Sequence, residues 1–115
     1  MTDALREFKA RIFQALANPT RIAIVELLRD EESVPVSRIH DALKIEQSNA
    51  SQHLSVLRTR NIVVARKEGN QVFYSLRDPI LGDVLDLLKH YFHAHLHEAL
   101  ATLRELSPKK NGVRK

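Results

Sequence analysis

The sequence predicts one mainly α-helical domain of the α+β class, with four helices, a two-stranded hairpin and a long last helix in the order ααααββα. The chain has 115 residues, which suits a single domain with one hydrophobic core. It contains 3 Gly and 4 Pro, too few for the many turns of an all-β domain. Apolar residues recur at helical spacing, and one short stretch, residues 62–65, is β-branched.

Two amphipathic helices are predicted in the first third of the chain. Residues 4–16 carry an apolar stripe at helical spacing, formed by Leu5, Phe8, Ile12 and Leu16. Asn18 is a typical helix N-cap and Pro19 suits the first helical position, so a second helix begins there. This helix ends at the acidic residues 30–32, and its predicted inward positions are Ile22, Val25 and Leu28.

Two further helices are predicted to follow, separated by a tight connection. Pro35 blocks continuation of the second helix, and apolar residues at i, i+3 and i+7 predict a third helix over 36–43. Residues 44–46 form the connection, and a fourth helix spans 47–59. Its predicted inward positions are Ala50, Leu54 and Leu57.

A β-hairpin and a long helix complete the predicted domain. Residues 62–65 read as a strand, the polar residues 66–71 as a turn with Gly-Asn at its tip, and residues 72–76 as the return strand. The pair Asp78-Pro79 starts a helix that reaches about residue 106. We therefore expect a domain over residues 1–106 and a basic, disordered tail over 107–115.

Charge is distributed unevenly along the chain. The formal net charge is +4, and the tail over residues 107–115 contributes +4 by itself. Residues 47–77 also carry +4, whereas residues 78–106 carry −3. Such a polarised chain can present one basic face to a polyanion and keep its acidic face away.

Composition excludes several classes of function. The chain has no Cys, which excludes disulfides, thiolate metal sites and thiol nucleophiles. The N-terminal residues lack the apolar core of a signal peptide, and no stretch approaches the ~20 apolar residues of a membrane span. We expect a cytoplasmic protein that is not an enzyme and has no membrane partner, since neither a Gly-rich phosphate loop nor a separate acid–base cluster is visible.

The third and fourth helices with their tight turn form a predicted helix-turn-helix unit, and the hairpin would be its wing. With its apolar stripe facing the core, the fourth helix turns short polar side chains outward, which can reach base edges and phosphates of double-stranded DNA. The hairpin adds cations and neutral hydrogen-bonding groups at its tip. The predicted DNA-binding residues are Gln47, Ser48, Asn49, Ser51, Gln52, His53, Arg66, Lys67, Asn70 and Gln71. The alternative for this face is an ordinary solvated helix surface.

Three segments resemble motifs of ArsR/SmtB-type bacterial repressors. Residues 15–21 (ALANPTR) are similar to the opening of the family's second helix, residues 47–58 (QSNASQHLSVLR) to its recognition helix and residues 69–76 (GNQVFYSL) to its wing. The resemblance covers about residues 8–100. It implies a winged-helix homodimer that represses by covering an operator and leaves when an inducer binds. Glu46 departs from the family's usual Ser or Thr N-cap before the recognition helix.

The last helix is predicted to be a dimerisation element. Its apolar side is larger than a 115-residue monomer can cover, and the apolar stripe of the first helix could pair with it across a two-fold axis. The predicted interface residues are Leu5, Phe8, Ile12, Leu81, Leu85, Leu88, Phe92 and Leu96.

Histidines are concentrated on the last helix, where four of the six lie within residues 90–97. On a helical wheel, His90, His93 and His97 share an arc of about 80° with Asp83 and Asp86, which we call the Asp/His stripe. Imidazole and carboxylate groups are suitable ligands for Zn, Ni or Co. The candidate metal ligands are Asp86, His90, His93 and His97. A purely solvated Asp/His face is the alternative, and His95 is expected to pack within the apolar interface.

Two other classes of protein remain open at this point. One is a helical interaction or metal-buffering module that does not bind an operator. The other is a DNA-binding protein that responds to no inducer and is regulated by its own abundance. The sequence identifies neither an inducer nor an operator, and it does not separate a repressor from an activator.

Overall fold

The computed structural model describes residues 2–106, so the predicted tail over 107–115 lies outside the described residues. The elements follow the predicted order with one additional short strand. They are α1 (Thr2–Leu16), α2 (Pro19–Glu31), β1 (Val34–Pro35), α3 (Val36–Leu43), α4 (Gln47–Thr59), β2 (Val63–Glu68), β3 (Gln71–Leu76) and α5 (Ile80–Glu105). The chain divides into two compact units with a boundary inside α5, after Gly82. Among the described helices, none has the length and hydrophobicity of a bilayer span.

The three strands form one antiparallel sheet in the order β1-β3-β2. The prediction missed β1, which has two residues and pairs Val34 with Tyr74 and Pro35 with Phe73. Pro35 was expected to prevent continuation of the second helix, and α2 ends before it, at Glu31. Pro35 itself lies in an edge strand, where a residue without an N–H is tolerated.

The predicted hairpin is correct in position but wrong in the length of its turn. Arg66 and Lys67 were placed at the tip, yet β2 continues through both of them to Glu68, and β3 already begins at Gln71. The turn is reduced to Gly69 and the residue after it. Gly69 has φ 62°, a left-handed conformation that glycine adopts without strain.

The core of the first unit lies between α2, α3, α4 and the sheet. Val25 and Leu28 are buried as predicted, whereas Ile22 is half-buried and Ile24 is buried in its place. The largest fully buried side chains are Ile24, Leu28, Ile39, Leu54, Leu57, Val25, Val34 and Val63.

Caps define the beginnings of two helices. Asn18 precedes α2 in an extended conformation, and its Oδ1 accepts a hydrogen bond from the Arg21 N–H at 3.1 Å, with Pro19 at the first helical position as predicted. Asp78 Oδ1 accepts from the Ile80 N–H at 3.1 Å, so α5 begins one residue after the predicted Pro79. These side chains satisfy N–H groups that the first helical turn leaves unpaired.

Candidate DNA-binding surface

The helix-turn-helix consists of α3, a three-residue turn and α4. Lys44 ends α3 in the left-handed conformation (φ 57°, ψ 49°), and the N–H of Ile45 returns to the carbonyl of His40 at 3.1 Å. This compact turn lets α4 pack its stripe of Ala50, Leu54 and Leu57 into the core, as predicted. The opposite face of α4 is exposed at Gln47, Ser48, Asn49, Ser51, Gln52 and Ser55.

The starts of α3 and α4 have no side-chain cap within the described chain. Glu46 precedes α4 with φ −68° and ψ 149°, the geometry of an N-cap, but its carboxylate makes no capping hydrogen bond. Pro35 precedes α3 and has no side chain able to cap. No side chain of the described residues therefore pairs with the first N–H groups of either helix.

A shallow groove of about 230 Å³ lies where α3, α4 and the hairpin come together. It brings three predicted DNA-binding residues, Gln47, Asn70 and Gln71, next to Ser37, which the sequence analysis did not select. The lining combines apolar side chains with amides and one hydroxyl, and none of the described lining residues is charged. The complete lining is Pro35, Val36, Ser37, Gln47, Asn70, Gln71 and Val72.

The two cations of the hairpin lie on opposite faces of the sheet. Lys67 pairs with Val72, and Arg66 pairs with Phe73. Because neighbouring residues of a strand alternate between faces, Lys67 shares the face of Val72 and Arg66 that of Phe73, and the groove is lined from both faces, by Val72 on one and by Gln71 and Pro35 on the other. Arg66 lies on the other face, with Nη2 3.4 Å from Glu68 Oε2 and its guanidinium 5.7 Å from the centre of the Phe73 ring.

His53 is the one predicted DNA-binding residue on α4 that is not fully exposed. Its Nδ1 lies 3.2 Å from Nη1 of Arg21, which belongs to α2. Burial, followed by the positive charge of Arg21, lowers the pKa of the His53 imidazole. The ring is therefore part of a helix–helix contact as well as of the polar face.

The Asp/His stripe of α5 does not form a cluster within one chain. Among residues 2–106, no group of three or more His, Asp or Glu side chains is placed to hold a metal ion. His93 and His97 nevertheless line one concavity of about 490 Å³ together with Ala94, Leu96 and Leu100. His95 packs against Tyr91 with ring centres 4.3 Å apart.

The apolar surface of α5 is wider than the predicted stripe. Leu81, Leu85 and Leu88 were predicted to lie in a dimer interface, and they are already half-buried within one chain. A second stripe, missed by the sequence analysis, is exposed at spacing i, i+4, i+7 and i+11. It consists of Ile80, Val84, Leu87 and Tyr91, which are 60%, 41%, 72% and 58% exposed.

On α1, Leu5 and Phe8 are exposed and Ile12 is half-buried. Phe92 and Leu96 of α5 are exposed as well. The residues predicted for the interface are therefore a mixture of exposed and partly covered side chains.

A helix-turn-helix whose outward face is polar, beside a hairpin that extends its groove, defines a winged helix-turn-helix protein. The helix-turn-helix domain family matches residues 10–64. The HTH-type transcriptional regulator Rv0081 of Mycobacterium tuberculosis is 33% identical over 105 residues, which are 91% of this chain and 92% of that protein. NmtR of the same species, also an HTH-type transcriptional regulator, is 39% identical over 76% of this chain and 72% of its own.

Solved structures agree with these relationships. The crystal structure of Rv0081 superposes with a TM-score of 0.73 at 35% identity, over 84% of this chain and 96% of that chain. The homodimeric winged helix-turn-helix DNA-binding domain of Mb0332 from Mycobacterium bovis, a possible ArsR-family regulator, gives 0.75 at 29% identity, over 84% and 89%. The chain belongs to the ArsR/SmtB-type family of winged helix-turn-helix transcriptional regulators.

Proposed function

We propose that the chain is a repressor that binds an inverted-repeat operator as a homodimer and is released by an inducer. The observation that carries this proposal is the exposed face of α4, which presents only hydroxyl and amide groups from Gln47 to Gln52 beside an uncharged groove. Such groups discriminate between base edges in the major groove without long-range attraction to every phosphate. Membership of a family of transcriptional regulators supports the same conclusion.

Base edges and phosphates are contacted by different parts of this surface. We assign Gln47, Ser48, Ser51 and Gln52 to the major groove, with Asn49 at the edge of the same face. Asn70 and Gln71 extend the contact from the hairpin. Among the hairpin cations, we favour Lys67 for a phosphate, because the guanidinium of Arg66 is already engaged by Glu68 and the Phe73 ring.

Exposed apolar residues on α1 and α5 support dimerisation. The proposed interface keeps the predicted residues and adds the second stripe, since side chains such as Leu87 and Tyr91 are 72% and 58% exposed in one chain. Exposed apolar surface of this extent marks an interaction site in a protein of this size. A two-fold dimer presents two α4 helices, so the operator should contain two half-sites about one helical turn apart.

Selection of bound duplexes from a random-sequence library tests this function. The expected product is an imperfect inverted repeat, and Gln52→Ala should relax base preference at one position of each half-site by ~1–3 kcal/mol. Gln14→Ala, an exposed change on α1, is the matched control and should leave the selected sequence unchanged. Recovery of no preferred sequence would favour a helical interaction module without operator binding.

Sedimentation velocity tests the dimer separately. We expect a dimer at micromolar concentration and a monomer after Phe92→Glu, because a carboxylate would have to be desolvated in an apolar interface. Arg104→Glu makes a larger change of charge on the same helix, at an exposed position outside both apolar stripes, and should leave the dimer intact. A monomeric wild-type chain would refute the proposal of a dimer.

Metal-responsive release is a second candidate function, supported by the concavity that His93 and His97 line together. Two His residues at i and i+4 project from the same side of a helix, and imidazole binds Zn, Ni and Co. Further ligands would come from a second copy of the chain, because no third His, Asp or Glu among the described residues of one chain is placed to complete the site.

Titration of each metal into the protein–DNA complex tests this candidate. Release should be lost in the double variant His93→Ala/His97→Ala and kept in the control His95→Ala, because His95 packs on Tyr91. Release that survives the double variant would place an inducer site elsewhere. A complex that no metal dissociates would support a solvated Asp/His face.

A further inference from the structure

One arginine side chain connects three helices of the first unit. The Nε of Arg21 donates a hydrogen bond to the carbonyl of Ala15, in the last turn of α1, at 2.6 Å. Its Nη1 lies 3.2 Å from Nδ1 of His53 on α4, while its own backbone N–H is held by Asn18 at the start of α2. The helix that carries the polar face is thus attached to α1 and α2 through this guanidinium.

The chemistry of the contact fixes the state of the imidazole. A guanidinium has donors and no acceptor, so His53 Nδ1 must accept the hydrogen bond and cannot carry a proton. The ring proton is then on Nε2, and the imidazole is neutral. A second proton would remove the acceptor and place a positive charge 3.2 Å from that of Arg21.

We infer that Arg21 is a positioning residue for operator binding, because it holds α4 in place through the neutral His53 imidazole. This inference rests on the proposed DNA-binding function. It predicts that protonation of His53 releases α4 from Arg21 and weakens binding to the operator. The sequence analysis placed His53 among the DNA contacts and gave Arg21 no role in the site.

The direction of the pH dependence follows from the surroundings of the ring. The helices α1, α2 and α3 and the strand β2 pack against α4, and Arg21 is the charged group among their described residues that acts on His53. Both burial and Arg21 lower the pKa of the ring from its ordinary value of 6.5. The contact is therefore intact above about pH 6.5 and is lost as the pH falls through the pKa of the folded chain.

Fluorescence anisotropy of the full chain on a selected duplex, from pH 8 to pH 5 at constant salt, tests the inference. Wild-type affinity should fall about tenfold or more on acidification, the size of effect expected for one lost hydrogen bond to a charged group. His53→Asn is the decisive variant, because the Asn Oδ1 can replace Nδ1 as acceptor and does not titrate. At pH 7.5 its affinity for the duplex should lie within about threefold of the wild-type affinity. On acidification it should not show the loss of affinity that protonation of His53 causes.

Two other variants remove the contact itself. His53→Leu deletes the acceptor and Arg21→Met deletes the donor, and both should bind about tenfold more weakly at pH 7.5 without the acid loss that protonation of His53 causes in the wild type. Circular dichroism verifies that each variant is folded. If one is not, the comparison of His53→Asn with wild type still decides the question.

Distinct outcomes separate failure of this inference from failure of the proposed function. If the wild type selects no duplex, the proposed function is wrong. If it binds a selected duplex but His53→Asn keeps the full acid response, the positioning role is wrong. An affinity that rises on acidification only when His53 is present would instead make His53 a phosphate-binding cation. Ring ¹⁵N shifts of the wild type at pH 7.5 should show Nδ1 unprotonated, and a protonated Nδ1 would also overturn the inference.

Discussion

Replacing one hairpin cation at a time should reveal which of the two contacts the DNA backbone. The guanidinium of Arg66 lies beside Glu68 and the Phe73 ring, whereas Lys67 projects from the other face of the sheet. Each lysine–phosphate contact contributes ~0.9 to the slope of log affinity against log salt on duplex DNA. A dimer carries two copies of Lys67, so Lys67→Gln should flatten that slope by ~1.8. Between 50 and 200 mM salt the wild type should then lose about twelvefold more affinity than the variant.

The assay is anisotropy of a labelled duplex over that range of salt, and any sequence serves because the phosphate contribution is independent of sequence. The matched control is the double variant Arg66→Gln/Glu68→Gln, which removes an ion pair on the opposite face and preserves net charge. Its slope should equal that of the wild type. Equal flattening by Lys67→Gln and Arg66→Gln would refute the assignment of the phosphate contact to Lys67 rather than Arg66.

Three further predictions concern stability and can be measured by urea denaturation. Leu54→Ala should lower the free energy of unfolding by ~2–5 kcal/mol, because Leu54 is fully buried and its loss leaves a cavity; a loss below 1 kcal/mol would contradict the core position. Glu46→Asp should raise it by ~0.5–1 kcal/mol, since the shorter carboxylate can cap α4 and the charge is unchanged; no gain would mean that these N–H groups already have partners. Gly82→Ala should lower it by ~1–3 kcal/mol, because the new Cβ would lie 2.7 Å from Cγ of Arg29; an unchanged value would show that Arg29 moves aside freely.

Features fixed by neighbours in sequence could be predicted. The Asn18-Pro19 start of α2 is a local capping signal, and the side chain of Asn18 caps the helix as expected. The spacing of Ala50, Leu54 and Leu57 also predicted the buried side of α4, because a helix turns such residues to one side whatever surrounds it.

Features fixed by distant contacts could not be predicted in the same way. The strand β1 exists because Val34 meets Tyr74, forty residues later, and two residues have no strand periodicity of their own. The polar residues that end β2 read as a turn in sequence, but pairing across the hairpin as far as Glu68 and Gln71 makes them strand. The contact of Arg21 with His53 spans 32 positions.

The width of the apolar surface on α5 was underestimated for another reason. A single amphipathic stripe was assumed, so Leu87 and Tyr91 were left out although they stand at helical spacing. Which apolar side of a long helix is buried within its own chain depends on how the helix packs. The spacing of apolar residues in the sequence does not reveal this.

The uncharged outward face of α4 has a consequence for how the protein would find its operator in a genome. Hydroxyl and amide groups gain little from DNA of the wrong sequence, whereas clustered cations would hold the protein on the 10⁶–10⁹ competing sites. Gln47 to Ser55 contribute no formal charge, so this face adds little to binding at those sites, which is left to cations elsewhere in residues 47–77. Discrimination by this face therefore depends on base contacts, and a substitution that removes one of them should change the affinity for the operator more than the affinity for other DNA.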